Sequence, residues 1–286
     1  MLKFLTQPVP SAYMPYHEYH FTLYVKSENM NHDQQKAISY FVEKLRKMLL
    51  DINKSLPRFA NATWYTRHIP LDVDEEPDPT KVSLLHDHEG FIRKIARDNE
   101  DPDLGVLIYR AWDGLRSERV SAYFSYYHYF EADTILEKDR LELVFKVPHK
   151  FNYLKHWELG FSLEELEQII VIANQHYDIV HASLRDLDFT KRFVPEDATE
   201  DYYEDYYNVF FHRFECVWMT VLDKKISADQ LPQAAKVIPL EKGRTLVMSI
   251  ADDYFSSYNP EHVLKANLLE IRLHELGLLR PFNALE

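Results

Sequence analysis

The stretch from Asp103 to Phe130 constrains the fold more than any other part of this 286-residue chain. Leu104, Val106, Leu107, Ile108 and Tyr109 form a short, nearly unbroken apolar run in which Arg110 follows as the one charge. A run of that length bounded by turn signals reads as a strand covered on both faces. Trp112-Asp113-Gly114 comes next, and Asp-Gly between strand-like runs signals a hairpin, because both residues tolerate positive φ. From Val120 to Phe130 the period is two. Val120, Ala122, Phe124, Tyr126 and Phe130 share one face, and Ser121, Tyr123, Ser125, Tyr127 and Tyr129 share the other. A strand with a tyrosine face is a partner-binding pattern and carries no catalytic motif.

The remaining periodicities supply what packs around that strand pair. Tyr19, Phe21, Leu23 and Val25 alternate with polar neighbours, so residues 17–26 are expected to form a first strand. Ile38, Phe41, Val42, Leu45, Met48, Leu49 and Ile52 recur at helical spacing over 31–52, with Asn31 or Asp33 as cap and Pro57 as stop. Trp64-Tyr65 reads as a short strand or a packed loop. A weaker helix is predicted from Thr80 or Lys81 to Arg97, and a strand over Leu141 to Val147 ending at Pro148. Ser162 and Glu165 have capping-box spacing at the head of a helix running to His176. Residues 177–184 and 209–222 read as strands, the second long, with Phe210, Phe214, Cys216, Trp218 and Leu222 on one face. Val237 to Leu240 and Thr245 to Ile250 flank a turn containing Gly243. The last helix is punctuated by Asn259 as cap, Pro260 at the first helical position and Gly277 at the end. Leu264, Leu268, Leu269, Ile271, Leu273 and Leu276 are its expected apolar face. The order implies an α+β fold: a mixed, largely antiparallel sheet with hairpins, packed by several helices. It is expected to be one domain over 1–286, or two lobes of about 1–150 and 151–286.

Charge and composition narrow the function class. Thirty-three basic residues against 46 acidic give −13, which disfavours a phosphate backbone as ligand and favours a basic partner or simply a solvated acidic surface. The single cysteine, Cys216, rules out an internal disulfide framework and suits a reducing compartment. Met1 to Pro8 lacks the apolar core of a signal peptide, and no stretch approaches the ~18 apolar residues of a membrane span. A cytoplasmic protein is expected, with no membrane contact.

Catalytic patterns are sparse. His17 and His20 lack the four-residue step of a zinc-protease helix, and His86 and His88 have no Cys or His partner at zinc-finger spacing. Neither pair is expected to bind metal, and no cofactor is expected. Cys216 lies mid-run beside Val217 and Trp218 and reads as an inert core thiol. Six glycines, none clustered, build no phosphate-cradling loop. Asp223-Lys224-Lys225 has the look of half a metal-dependent nuclease site, but a turn is the simpler reading.

Two acidic segments are left as candidate partner contacts. Between 196 and 207 six carboxylates interleave with four tyrosines; the stretch reads equally as a solvated or partly disordered loop or as an interface, with Glu200, Asp201, Tyr203, Glu204, Asp205 and Tyr206 the candidate contacts there. The proline-stiffened loop at 70–79 adds Asp72, Asp74, Glu75 and Glu76.

Three places resemble the immunity protein 52 family of bacterial polymorphic-toxin and type VI secretion systems. They are the first strand and long helix followed by Trp64-Tyr65, the strand ending in Trp112-Asp113-Gly114, and the closing hairpin with Asn259-Pro260 leading to a helix that stops at Gly277. The resemblance implies a non-catalytic cytoplasmic antidote that binds a cognate toxin, often a restriction-endonuclease-like nuclease. Trp112, Asp113, Gly114, Asn259, Pro260 and Gly277 would then be structural. Two other readings remain open: a metal-dependent hydrolase whose His, Asp and Glu residues converge only in the fold, and an adaptor domain without a toxin.

Overall fold

The computed structural model describes residues 16–26, 34–66, 82–98, 106–112, 121–129, 140–148, 162–186, 214, 216–256 and 259–281. In chain order these form β1 (Tyr16–Val25), α1 (Gln34–Ser55), β2 (Tyr65–Thr66), β3 (Val82–Ser83), α2 (His88–Asp98), β4 (Val106–Trp112), β5 (Ser121–Tyr129) and β6 (Arg140–Pro148). The second half supplies α3 (Leu163–His176), β7 (Ile179–Asp186), β8 (Met219–Leu222), β9 (Lys236–Pro239), β10 (Thr245–Met248) and α4 (Pro260–Glu275). The ten strands make one sheet in the order β3-β2-β4-β5-β6-β1-β7-β8-β10-β9. Every ladder is antiparallel. The fold is α+β.

β1 is the strand on which the two halves meet. Phe21 stands opposite Leu143 of β6 on one side and Leu184 of β7 on the other. Its alternation works as the sequence predicts: Tyr19, Phe21, Leu23 and Val25 are buried in one core with Phe41, Leu45, Leu49 and Ile52 of α1 and Ile169, Ile170 and Ala173 of α3. Burying each such side chain contributes about 1.5–3 kcal/mol, so the central strand and the longest helix are held together mainly by this shared core. Where β1 passes β7, Tyr24 pairs with His181 but Val25 with Ile179, so Val180 is an extra, bulged residue. Further along, Leu246 and Met248 join the large core, while Val247 between them joins Cys216, Leu222, Leu269 and Leu273. Neighbouring strand residues point to opposite faces, so the C-terminal half of α4 covers the face away from α1 and α3.

Helix ends follow local chemistry closely. The Ser162 side chain accepts from the Glu165 N–H at 3.2 Å, and Glu165 accepts from the Ser162 N–H at 2.8 Å, a complete capping box. Asn259 accepts from the Glu261 N–H at 3.0 Å with Pro260 behind it. At the other end Gly277 has φ +65°; its N–H donates to His274 and that of Leu278 to Leu273, the paired bonds of a Schellman stop. The turn between β9 and β10 puts Lys242 (φ 60°) and Gly243 (φ 73°) in the left-handed region, as a tight hairpin requires.

Three expectations are corrected. The helix expected over 80–97 begins only at His88, because Val82 and Ser83 pair with Thr66 and Tyr65 as a strand. Asp87 then caps by accepting the Gly90 N–H at 2.9 Å. The long strand expected to end at Leu222 is, among the described residues, strand only over Met219–Leu222. Phe214 instead donates its N–H to Arg280, and β7 supplies partners only from Met219 onward. The apolar face of α4 is split: Leu269 and Leu273 are buried, but Leu264, Leu268, Ile271 and Leu276 are exposed. The caps proposed at Asn31 and Asp33 and the Asp113-Gly114 turn lie outside the described residues. No helix among the described residues is long and apolar enough to cross a membrane.

Candidate functional site

Of the predicted contacts, Glu200, Asp201, Tyr203, Glu204, Asp205, Tyr206, Asp72, Asp74, Glu75 and Glu76 all lie outside the described residues. Trp112 is the last residue of β4, opposite Tyr123 of β5 and Tyr65 of β2. Asn259, Pro260 and Gly277 punctuate α4 as expected.

An acidic surface of the same chemistry is assembled elsewhere, by the loop between β10 and α4 and the first turn of α3. The loop is tightly held. Ser249 donates its hydroxyl to the Val217 carbonyl at 2.6 Å, Trp218 donates its indole N–H to the Ile250 carbonyl at 3.1 Å, and the Tyr19 hydroxyl donates to the Phe255 carbonyl at 2.8 Å. These bonds reach across 32 and 236 residues of chain, so residues 249–255 of the loop are tied to the core. Phe255 is fully buried, while Asp252 and Asp253 are exposed. Between them Tyr254 lies half-buried, its ring edge-on to Trp218 at 6.0 Å.

The field around Tyr254 is negative. Burial raises its phenol pKa first, and the Glu164, Glu165 and Asp253 carboxylates add to the rise against the opposing Arg58. Arg58 stands 3.8 Å from Glu165. Glu164 is exposed, and its carboxyl is held below the usual range by the backbone and Ser162 hydrogen bonds of the helix start. Tyr254 is thus a half-buried ring next to the exposed Asp253 in the chain and under the influence of the Glu164 and Glu165 carboxylates, with Arg58 opposing them, a combination that offers contact area and acceptors to a lysine- or arginine-rich surface. This site escaped the sequence reading, although a signal exists. Asp252-Asp253-Tyr254-Phe255 repeats the acid-acid-Tyr-aromatic order of Glu200-Asp201-Tyr202-Tyr203 and Glu204-Asp205-Tyr206-Tyr207.

The same loop carries a titrating contact. The Ser256 N–H donates to Nδ1 of His262 at 3.1 Å, a bond that only a neutral imidazole with its proton on Nε2 can accept. Burial lowers the His262 pKa, and the Lys265 charge also lowers it; Asp253, Asp252 and Glu261 oppose them. A depressed folded pKa means the unfolded chain binds more protons, so this contribution is complete above about pH 6.5 and is lost as pH falls toward the folded value. In His262→Gln, which retains an acceptor but does not titrate, the melting temperature is expected to fall less than in wild type between about pH 7 and 5. Parallel losses in both proteins would remove His262 as the cause.

The other chemical candidates are committed to structure. Asp223, the acid of the half-nuclease pattern, accepts from Arg244 at 3.2 Å and Arg280 at 3.3 Å. His88 stands 3.4 Å from Glu43, and its neighbour Asp87 caps α2. Cys216 is buried beside the α4 leucines. Among the described residues no three His, Cys, Asp or Glu side chains converge as metal ligands would. In comparison with known proteins, no family model matches this chain and no curated protein matches it.

Proposed function

We propose that this protein is an immunity-type inhibitor: a cytoplasmic antidote that binds a secreted antibacterial toxin and neutralises it by protein–protein contact, without catalysis. The carrying observation is the acidic–aromatic surface around Tyr254, a fixed ring in the combined field of α3 and the β10–α4 loop. Its chemistry fits a basic partner, as does the net charge of −13. A nuclease is basic where it tracks phosphates, so a restriction-endonuclease-like toxin suits both this surface and the resemblance to the immunity protein 52 family. The acid-acid-Tyr repeats at 200–207 carry the same chemistry in sequence.

The test takes as candidate toxin the product of a reading frame adjacent to this protein's gene. Co-expression is expected to rescue cells from it. In binding kinetics, Glu164, Asp252 and Asp253 changed together to lysine should slow association and flatten its salt dependence. Tyr254→Ala should accelerate dissociation about tenfold or more, the size of a hot-spot loss. Rescue with unchanged rates in both variants would move the contact elsewhere on the protein. Absence of rescue and of binding would sink the immunity reading.

A further inference from the structure

His262 lies in the first turn of α4, 8% exposed, where it meets the loop that carries Tyr254. Two anchors hold the end of that loop. The Tyr19 hydroxyl of β1 donates to the Phe255 carbonyl at 2.8 Å, and Nδ1 of His262 accepts the Ser256 N–H at 3.1 Å. The His262 ring also packs beside that of Phe255, with centroids 6.0 Å apart. Only the second anchor depends on a proton. An imidazolium carries a hydrogen on Nδ1, so two donors would then face each other. We propose that His262 is a proton switch for the Tyr254 surface, which engages a basic partner while the ring is neutral and loses hold of it when the ring is protonated. The inference rests on the reading of that surface as the partner contact.

Protonation acts in two ways, and both weaken the contact. The first is mechanical. Ser256 loses its tie to α4 two residues from Tyr254, so fixing the tyrosine ring against a partner costs more conformational freedom. The second is electrostatic. The charges acting on His262 are Asp253 and Asp252 of the loop, which with Glu261 of α4 favour a cation there, and Lys265 of α4, which opposes one. The two aspartates are exposed and are the acceptors that the surface offers to a basic partner. An imidazolium competes with the partner for them. Asp253 also accepts the Tyr254 N–H at 2.7 Å, so a pull on this carboxylate is felt at the ring's own backbone. Linkage makes the effect reciprocal: a cationic partner at Asp252 and Asp253 disfavours the imidazolium, and binding expels a proton. The resting form is the neutral one. Burial disfavours the cation, as does the positive end of the helix, so the switch operates as pH falls below about 6.5.

NMR of the full chain between about pH 8 and 4.5 tests the mechanical half. The His262 ring is expected to be protonated on Nε2 at the upper limit, and the Ser256 amide should lose exchange protection in step with its titration. Binding of a polylysine peptide at low salt tests the rest. From about pH 7 to 5 the wild type should lose about fivefold more affinity than His262→Gln, the lower end of a typical coupling between sites. At pH 7 the two proteins should bind alike. A ring that stays neutral throughout overturns the switch, as does Ser256 protection that stays constant while the ring titrates, or an equal loss of affinity in wild type and His262→Gln. Peptide affinity at pH 7 that is unchanged when Asp252 and Asp253 are both replaced by asparagine fails differently. It removes the Tyr254 surface as the basic-partner contact, and the switch with it.

Discussion

Replacing Arg244 with methionine is expected to destabilise the fold by about 3–5 kcal/mol, the cost of removing one member of a buried charged network. Arg244 is 3% exposed and joins four elements. Its Nε donates to the Ile179 carbonyl at 2.7 Å and to Asp223 at 3.2 Å, while its terminal nitrogens donate to Asn174 at 3.3 Å and Asp178 at 3.4 Å. Methionine fills most of the volume, so the loss isolates the hydrogen bonds: the Ile179 carbonyl and the buried Asn174 amide oxygen would each lose this donor. The lower end of the range applies, because Asp223 keeps Arg280 and Asp178 is partly solvated and keeps Lys242. Arg244→Lys should be nearly as damaging, since a point-like ammonium does not reproduce the planar fork. Urea denaturation measures the effect. A midpoint within error of wild type would show that the network is not needed to join α3, β7, β8 and β10.

The second large effect is expected at Trp64. This side chain is fully buried, and its backbone has φ 46°, a left-handed conformation that a bulky residue rarely adopts. Such a conformation costs on the order of 1–3 kcal/mol and persists only where its surroundings over-determine it. Here they do. The indole N–H donates to Asn53 of α1 at 2.7 Å, the Asn53 amide donates to the Ala62 carbonyl at 2.9 Å, and the Leu84 N–H donates to the Trp64 carbonyl at 2.7 Å. The ring packs on Phe59 with centroids 5.3 Å apart. Trp64→Ala is therefore expected to cost about 3–5 kcal/mol, and Trp64→Phe less, because it keeps most of the apolar contact and loses the bond to Asn53. Thermal melts decide this. Equal melting temperatures for wild type and Trp64→Ala would mean that relieved backbone strain offsets the lost packing.

The sequence by itself determined the features whose partners lie within a few residues. The capping box at Ser162 and Glu165, the Asn259-Pro260 start, the Gly277 stop and the Gly243 hairpin all follow from contacts between near neighbours. The alternation of β1 and the spacing of α1 likewise name their own buried faces. Tertiary structure alone decided the rest. β1 occupies the middle of the sheet because β6 and β7, more than a hundred residues downstream, pair with it. Val82 and Ser83 leave the helical pattern because β2 offers them strand partners. α4 is apolar on nearly every side, so its sequence does not say which leucines the sheet will cover; Leu269 and Leu273 are covered, and Leu264, Leu268 and Ile271 are not. The surface at Tyr254 is the strongest case. Glu164 and Asp253 are far apart in the chain and act on one phenol only because the core bonds of Ser249, Trp218 and Tyr19 set the loop against the start of α3. Periodicity and caps encode which residues turn inward locally, whereas a shared electrostatic field depends on distances that the assembled layers alone define.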